Sequence, residues 1–200
     1  MNPNITYIAL WGKKKAGKTT VAKQLHSELL KQGFKNVVRI SFAEKLRKAY
    51  DLFFPNTPKW LDLDSETKEA HRPFMQICGD ACKAVDDAYF AKDLVATIES
   101  EWEMQRGLDL GPHLYVIVDD LRYAVEAEAM ANSGRLITVR LYSELENNDD
   151  THASESHGGL ADITTITHFN QLGKNEGYVI MDSLGSSVSK DDPNYLYKYR

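Results

Sequence analysis

The chain has 200 residues, of which 42% are hydrophobic, and its formal net charge is −5 at pH 7. This length supports one hydrophobic core, so we expect a single domain over residues 1–200. An acidic chain lacks the extended basic surface that displaces counterions from nucleic acid, so we expect no stable nucleic-acid binding. We also expect a soluble, cytoplasmic protein with no membrane partner, because neither a signal-peptide pattern nor an apolar run of about 20 residues is present.

A strand followed by a glycine-rich loop opens the chain. The apolar segment Ile5–Trp11 predicts a buried strand, and Gly12–Thr19 matches the P-loop pattern G-x-x-x-x-G-K-[ST]. The two glycines of this pattern let backbone N–H groups turn inward toward phosphate oxygens. Apolar residues at helical spacing follow, so the loop lies at the N-terminus of a predicted helix, where the helix dipole favours anions. The pattern therefore predicts a nucleoside triphosphate site.

Individual residues of the loop suit different parts of a nucleotide bound with magnesium. Lys18 adds positive charge near the β- and γ-phosphates, and the Thr19 hydroxyl suits Mg²⁺. The residues expected to bind ATP are Gly12, Lys15, Ala16, Gly17, Lys18, Thr19 and Thr20.

After the P-loop the chain predicts a helix, a strand and then mainly helices. The first helix ends near Gly33, a strand covers Asn36–Ile40, and a short helix follows it. Residues 55–71 show no clear periodicity and are interpreted as a loop. The two apolar stripes predicted to face the core are Phe74, Ile77, Cys78, Ala81 and Val85, then Ala91, Leu94, Val95, Ile98 and Trp102.

The chain has two cysteines, Cys78 and Cys82, which lie four residues apart in a predicted helix. This spacing matches neither a metal site nor a disulfide framework. We expect both to be buried free thiols that pack as small apolar groups.

Strands and helices alternate in the second half of the chain and indicate the fold class. Apolar strands cover Leu114–Val118 and Arg135–Leu141, a helix lies between them, and a last strand is expected within Ile163–Asn170. Strands joined by helices predict an α/β fold with a doubly wound, mainly parallel sheet flanked by helices. Ligands of such folds bind beyond the carboxyl ends of the strands. The polar segment 142–162 is interpreted as a lid-like surface excursion, and 184–200 as a tail.

Asp119 and Asp120 directly follow the strand Leu114–Val118. An apolar strand that ends in aspartate resembles a Walker B element, in which a carboxylate holds Mg²⁺ or orients the attacking oxygen. The alternative is a helix N-cap. The sequence does not decide between the two aspartates, so Asp119 is a candidate metal ligand with Thr19, and Asp120 a candidate catalytic residue.

Polar residues at the ends of elements are candidates for binding an acceptor. Arg72 and Gln76 share one helix face, where a guanidinium suits a phosphate and an amide suits a base edge. The alternative for this pair is a solvated helix start. Arg122 lies at a strand–loop junction that directs it toward the P-loop. In the 142–162 segment, His152, Ser154 and Glu155 form a polar cluster, for which simple solvation is the alternative.

Taken in order, these motifs resemble those of the bacteriophage-type deoxynucleoside monophosphate kinases, relatives of the adenylate-kinase group. The segments that carry the resemblance are Gly12–Ala22, Phe42–Arg47, Arg72 with Gln76 and Gly79, Val118–Tyr123 with Glu126, and His152 with Ser154 and Glu155. The resemblance implies transfer of the γ-phosphoryl group of ATP, with Mg²⁺, to a deoxynucleoside monophosphate (dNMP). It also implies that residues 43–112 form an acceptor-binding helical region, and that 142–162 form the lid.

The resemblance implies a role for each matching residue. Lys14 would reach the acceptor from the P-loop, and Asp120 and Arg122 would lie between the two nucleotides. Because no arginine lies between Arg140 and Arg200 to serve a lid, we expect Arg122 and Arg140 to supply that charge. The substrate-binding residues implied are Lys14, Phe42, Leu46, Arg47, Arg72, Gln76, His152 and Glu155, and the catalytic ones are Lys18, Asp120, Arg122 and Arg140.

Two other functions share the P-loop. One is a kinase for another small phosphorylated acceptor, of the dephospho-coenzyme A or phosphomevalonate type. The other is a nucleotide-binding switch protein that transfers nothing, although the absence of an Asn-Lys-x-Asp motif counts against a GTPase. The base and sugar of the acceptor stay open, as does a homodimer. A phage-encoded protein of this kind would act in the host cytoplasm.

Overall fold

The structure is a computed structural model that describes residues 1–106, 108, 110–111, 113–144, 159–163, 165–170, 176–177 and 179–180. The strands are β1 (Asn2–Trp11), β2 (Val37–Ile40), β3 (Leu114–Val118), β4 (Gly134–Tyr142) and β5 (Ile166–Phe169). The helices are α1 (Lys18–Lys31), α2 (Glu44–Phe53), α3 (Ser65–Val85), α4 (Tyr89–Gln105) and α5 (Ala124–Ser133), and short 3₁₀ turns cover Trp60–Asp62 and Ala161–Ile163.

The five strands form one sheet in the order β2-β3-β1-β4-β5, and every neighbouring pair is parallel. The predicted doubly wound α/β fold is thereby confirmed. In the centre, Ala9 of β1 pairs with Val118 of β3, and Trp11 pairs with Arg140 of β4. The carboxyl ends of these three strands therefore share one edge of the sheet, where the P-loop follows β1 and Asp119 follows β3.

Helices cover both faces of the sheet. On β1, Tyr7 and Ala9 point to the face covered by α4 and α5, while Ile8 and Leu10 point to the face covered by α1. All four are buried. This burial on both sides explains why the central strands are apolar throughout instead of alternating.

The helix α3 differs most from the sequence-based expectation. It begins at Ser65, within the segment interpreted as a loop, because the carboxylate of Asp64 accepts a hydrogen bond from the Thr67 N–H at 2.8 Å and caps the helix. Ile77 and Val85, which were predicted to face the core, are 69% and 90% exposed. The expected core stripe is therefore wrong at Ile77 and Val85, although Phe74 of the same stripe packs against the rings of Tyr50 and Phe54.

The remaining expectations concern the cysteines, the polar segments and the membrane. Cys78 and Cys82 are free thiols, as expected, but each is only partly buried. The tail 184–200 and the part of the lid-like segment between 145 and 158 lie outside the described residues. Within the described ranges, no helix has the combination of length and apolarity that crossing a bilayer requires.

Candidate active site

The P-loop leaves β1 with its backbone close against neighbouring strands. Gly12 has a φ of 144°, and a Cβ there would lie 2.4 Å from the carbonyl oxygen of Leu141. Gly17 has a φ of 85°, and its Cβ would lie 2.0 Å from the side-chain nitrogen of Asn170. Both positions therefore require glycine, and the main chain between them can curve around an anion, as binding of a triphosphate demands.

Lys18 begins α1, and its ammonium group lies back over the loop. It donates hydrogen bonds to the carbonyl oxygens of Gly12 at 2.5 Å and Lys13 at 2.8 Å. From the end of β5, the Asn170 amide donates to the carbonyl oxygen of Ala16 at 3.0 Å. The loop is thus held from both sides, with Ala16 buried, while the side chains of Lys15, Thr19 and Thr20 are exposed.

Asp119 lies beneath the P-loop and is only 7% exposed. Its carboxylate accepts a hydrogen bond from the side chain of Thr19. Burial, reinforced by the charge of Asp120, raises the pKa of Asp119, while the positive charges of Arg47 and Arg39 oppose the rise. The structure brings together the two predicted metal ligands, Thr19 and Asp119. A hydroxyl and a carboxylate fit Mg²⁺, which prefers oxygen ligands and completes its shell with phosphate oxygens and water.

Asp120 is turned away from Asp119, toward the start of α2. Its carboxylate accepts hydrogen bonds from the Ser41 hydroxyl at 2.5 Å and from the N–H groups of Phe42 at 2.9 Å and Ala43 at 3.0 Å. These contacts hold the segment that leads into α2 against the carboxyl end of β3. A role in positioning α2 follows directly from this geometry, while the catalytic role of Asp120 stays a prediction.

A cavity of about 220 Å³ lies beside this junction. Its lining residues come from the loop after β2, from α2, α3, α4 and α5, from the 3₁₀ turn at Trp60 and from the loop after β3. They are separated by up to 84 positions in the sequence, from Phe42 to Glu126. Predicted site residues in its lining are Phe42, Leu46, Arg47, Arg72, Gln76, Asp120 and Arg122, and the other lining residues are Ala43, Trp60, Met75, Gly79, Asp80, Lys83, Phe90, Tyr123 and Glu126.

Lys83 is a cation of the cavity that the sequence analysis missed. Its ammonium donates a hydrogen bond to the Tyr123 hydroxyl at 2.6 Å and lies 4.0 Å from the centroid of the same ring. A signal was present, because Arg72, Gln76, Gly79 and Lys83 follow one another at helical spacing on a single stripe of α3. All four line the cavity.

Glu126 is a buried carboxylate in the cavity wall, only 6% exposed. It accepts hydrogen bonds from the N–H groups of Arg122 at 2.9 Å and Tyr123 at 3.1 Å. Burial raises the pKa of Glu126 to about 7, with a further contribution from the charge of Asp120. The residue therefore changes charge near neutral pH.

Lys14 and Arg72 meet at one carboxylate between the P-loop and the cavity. The ammonium of Lys14 lies 2.8 Å from Oε2 of Glu69, and Nε of Arg72 lies 3.1 Å from the same atom. The hydrogen bond from Lys14 lowers the pKa of Glu69, and Arg72 contributes to the same effect. A P-loop residue and a cavity residue are thereby connected across the site.

Arg140 is a predicted catalytic residue that the structure does not bring to the cavity. The guanidinium carbon of Arg140 lies 4.8 Å from the ring centroid of Trp11 and 4.2 Å from that of Tyr142, and Arg140 is absent from the cavity lining that the structure describes. Stacking of the guanidinium on these two rings accounts for the orientation of the Arg140 side chain. The predicted lid residues His152 and Glu155 lie outside the described residues.

The fold has counterparts among solved structures. No protein-family model and no curated protein sequence matches this chain. A mutant APS kinase from Mycobacterium tuberculosis has a similar structure, with a TM-score of 0.50 and 13% identity over 92% of this chain and 99% of that chain. For the same enzyme in complex with AMPPNP and APS, the TM-score is 0.47 and the identity 15%, with the same coverage of 92% and 99%. The parallel sheet, the loop geometry and the first of these likenesses establish that the chain has the doubly wound P-loop NTPase fold.

Proposed function

We propose that the protein is a P-loop kinase that transfers the γ-phosphoryl group of ATP to a nucleoside monophosphate, with a dNMP as the acceptor. The observation that carries this proposal is the cavity beside the start of α2 and the carboxyl end of β3, whose lining includes Arg47, Arg72 and Arg122. Guanidinium groups bind phosphate with paired hydrogen bonds, so this lining suits an anionic acceptor. A protein that only bound and hydrolysed a nucleotide would have no need of a second charged cavity.

The donor side rests on the loop itself. The main chain from Gly12 to Thr19, with the ammonium of Lys18, suits the β- and γ-phosphates of ATP. Thr19 and Asp119, which already contact each other, are the residues that would hold Mg²⁺. When bound, Mg²⁺ supplies charge neutralisation to the phosphate oxygens during transfer.

The two sides adjoin through shared residues. Arg47 lines the cavity, and its charge also acts on Asp119 beneath the P-loop. Lys14 of the P-loop and Arg72 of the cavity contact the same carboxylate. This adjacency supports direct transfer, in which an oxygen of the acceptor phosphate bonds to the γ-phosphorus while the bond from that phosphorus to ADP breaks. Such a reaction requires positioning and positive charge more than covalent help from the protein.

The rest of the cavity suits the nucleoside part of an acceptor. Trp60, Met75 and Phe90 give it apolar and aromatic surface, and Gln76 adds an amide that can bind a base edge. The preference for a deoxyribonucleotide is supported by the resemblance of the motifs to dNMP kinases.

A coupled ADP-release assay tests the proposal. The acceptor panel contains the dNMPs, the corresponding ribonucleotides, dephospho-coenzyme A and phosphomevalonate. It also contains APS, the acceptor of the APS kinase whose fold is similar. We expect ADP release that depends on a dNMP and on Mg²⁺. Turnover with only a non-nucleotide acceptor would support the other kinase class, and ADP release that no acceptor accelerates would support a switch protein.

A further inference from the structure

Gly79 is the one buried residue of α3, which the structure describes in full. It lies in the interior of the helix, where glycine is less favourable than alanine by about 1 kcal/mol. Gly79 is not among the glycines with positive φ, so its backbone conformation does not call for glycine. The residue therefore needs another explanation.

Packing within the protein does not explain why position 79 is glycine. Outside its own helix, a Cβ at position 79 would have one atom within 4 Å, Cδ1 of Leu46 at 3.4 Å, which is an ordinary van der Waals distance. Gly134 is a contrasting case, because a Cβ there would lie 2.7 Å from the carbonyl oxygen of Ile5. Alanine would fit at position 79 in the protein alone, but its methyl group would enter the cavity that Gly79 lines.

The position of Gly79 along the cavity indicates which part of an acceptor uses the space. Arg72 and Gly79 lie on the same stripe of α3, seven residues apart, which corresponds to about 10 Å along the helix axis. A nucleoside monophosphate carries its phosphate at one end and its base at the other, over a comparable length. If the phosphate binds at Arg72, the base would extend past Gln76 to Gly79. Lys83, which lies one helical turn further along α3, donates a hydrogen bond to Tyr123 of the same lining.

We infer that the missing side chain of Gly79 leaves the space in which the nucleobase of the acceptor lies against the backbone of α3. This inference rests on the proposed function and assigns Gly79 as a residue that determines specificity. A base is flat, so it can approach closely a backbone position that carries no side chain, as glycine allows. Purines extend further than pyrimidines, so a methyl group at this position hinders them more.

The test compares the parent protein, Gly79→Ala and the control Ala81→Met, which adds volume on the exposed face of the same helix. The measurements are the thermal midpoint, the KM for ATP and the KM for each accepted acceptor. We expect Gly79→Ala to melt at the parental temperature or above and to keep its KM for ATP, while its KM for the acceptor rises about tenfold. Where both base classes are accepted, the rise is larger for the purine. Ala81→Met should resemble the parent throughout.

Binding measured without turnover separates this inference from the proposed function. Trp60 lines the cavity, so its fluorescence reports binding of a dNMP in the absence of ATP. If the parent phosphorylates no nucleoside monophosphate, the proposed function is wrong. The inference itself is overturned if Gly79→Ala binds the dNMP within about twofold of the parent. A lowered thermal midpoint for Gly79→Ala would also overturn it, because packing would then explain the glycine.

Discussion

The ammonium group of Lys14 lies 2.8 Å from a carboxylate oxygen of Glu69. The same oxygen contacts Arg72, so one carboxylate of α3 holds a cation of the P-loop and a cation of the cavity. The phosphate of an acceptor would bring negative charge to the same two cations. Under the proposed function, Glu69 would therefore take the electrostatic place of that phosphate when no acceptor is bound.

Replacing Glu69 by glutamine should strengthen acceptor binding. The exposed ion pairs that Glu69 forms are individually weak, so we expect the KM for the acceptor to fall about threefold, with the KM for ATP unchanged. Glu66→Gln removes an exposed carboxylate from the same helix and serves as the control. A higher KM in Glu69→Gln would show instead that Glu69 positions the two cations for the acceptor.

Lys18→Ala should keep the fold and lose most of the turnover. The Lys18 side chain contacts the loop through two carbonyl oxygens, so its loss leaves the core intact, but the charge at the transferring phosphate disappears. We expect kcat to fall by about 100-fold or more, with little change in the circular dichroism spectrum or the thermal midpoint. Lys23→Ala, on the exposed face of α1, is the matched control. Parental turnover in Lys18→Ala would contradict the role of Lys18.

Asp119→Asn should change the magnesium dependence of the reaction. The substitution removes the negative oxygen next to Thr19, so we expect the Mg²⁺ concentration at half-maximal rate to rise about tenfold. Stability at neutral pH should not fall, because burial raises the pKa of Asp119 and makes its charged form unfavourable in the folded protein. An unchanged Mg²⁺ titration would remove Asp119 from the metal site.

Asp120→Ala should change the stability of the protein and its KM for the acceptor, and it should leave the Mg²⁺ dependence of the reaction unchanged. The change removes an acceptor of three hydrogen bonds at the start of α2, so we expect the free energy of unfolding to fall by about 2 kcal/mol. Because α2 lines the cavity, the KM for the acceptor should rise while the Mg²⁺ dependence stays parental. Ser41→Ala, which removes one of the three donors, should give a smaller effect in the same direction. The reverse assignment of the two aspartates would be indicated if Asp120→Ala shifted the Mg²⁺ titration.

Glu126 should make stability depend on pH in the interval between its pKa in the unfolded chain and its pKa in the folded protein. Its pKa is raised from 4.5 to about 7 in the folded protein, so in this interval the folded state holds a proton that the unfolded state has lost. The free energy of unfolding should therefore fall as pH rises from 4.5 to 7, by up to about 3 kcal/mol from this residue. Glu126→Gln keeps an oxygen for the N–H groups of Arg122 and Tyr123 but cannot ionise. Urea denaturation at pH 5 and 8 should show a smaller loss in this variant, and equal losses would contradict the shift.

The outcome for α3 shows where sequence reasoning reached its limit. The apolar residues Ile77 and Val85 suggested a core-facing stripe, yet both are exposed. The inner face of α3 lines a cavity instead of packing into the core, so most of its residues are polar or lack a side chain, as Arg72, Gln76 and Gly79 do. Hydrophobic periodicity reports burial in a core, and it carries no information about a face that a ligand would cover.

The sequence by itself determined the P-loop, the strands and the fold class. These features depend on local patterns, since a glycine-rich loop at Gly12–Thr19 and apolar runs such as Leu114–Val118 show in consecutive residues what the backbone must do. Tertiary structure alone decided that Asp119 contacts Thr19 whereas Asp120 holds α2, and that Arg140 stacks on Trp11 and Tyr142 away from the cavity. Such contacts depend on the order of the strands and on how each helix is rotated about its axis, because these two properties bring together side chains that are distant in the sequence.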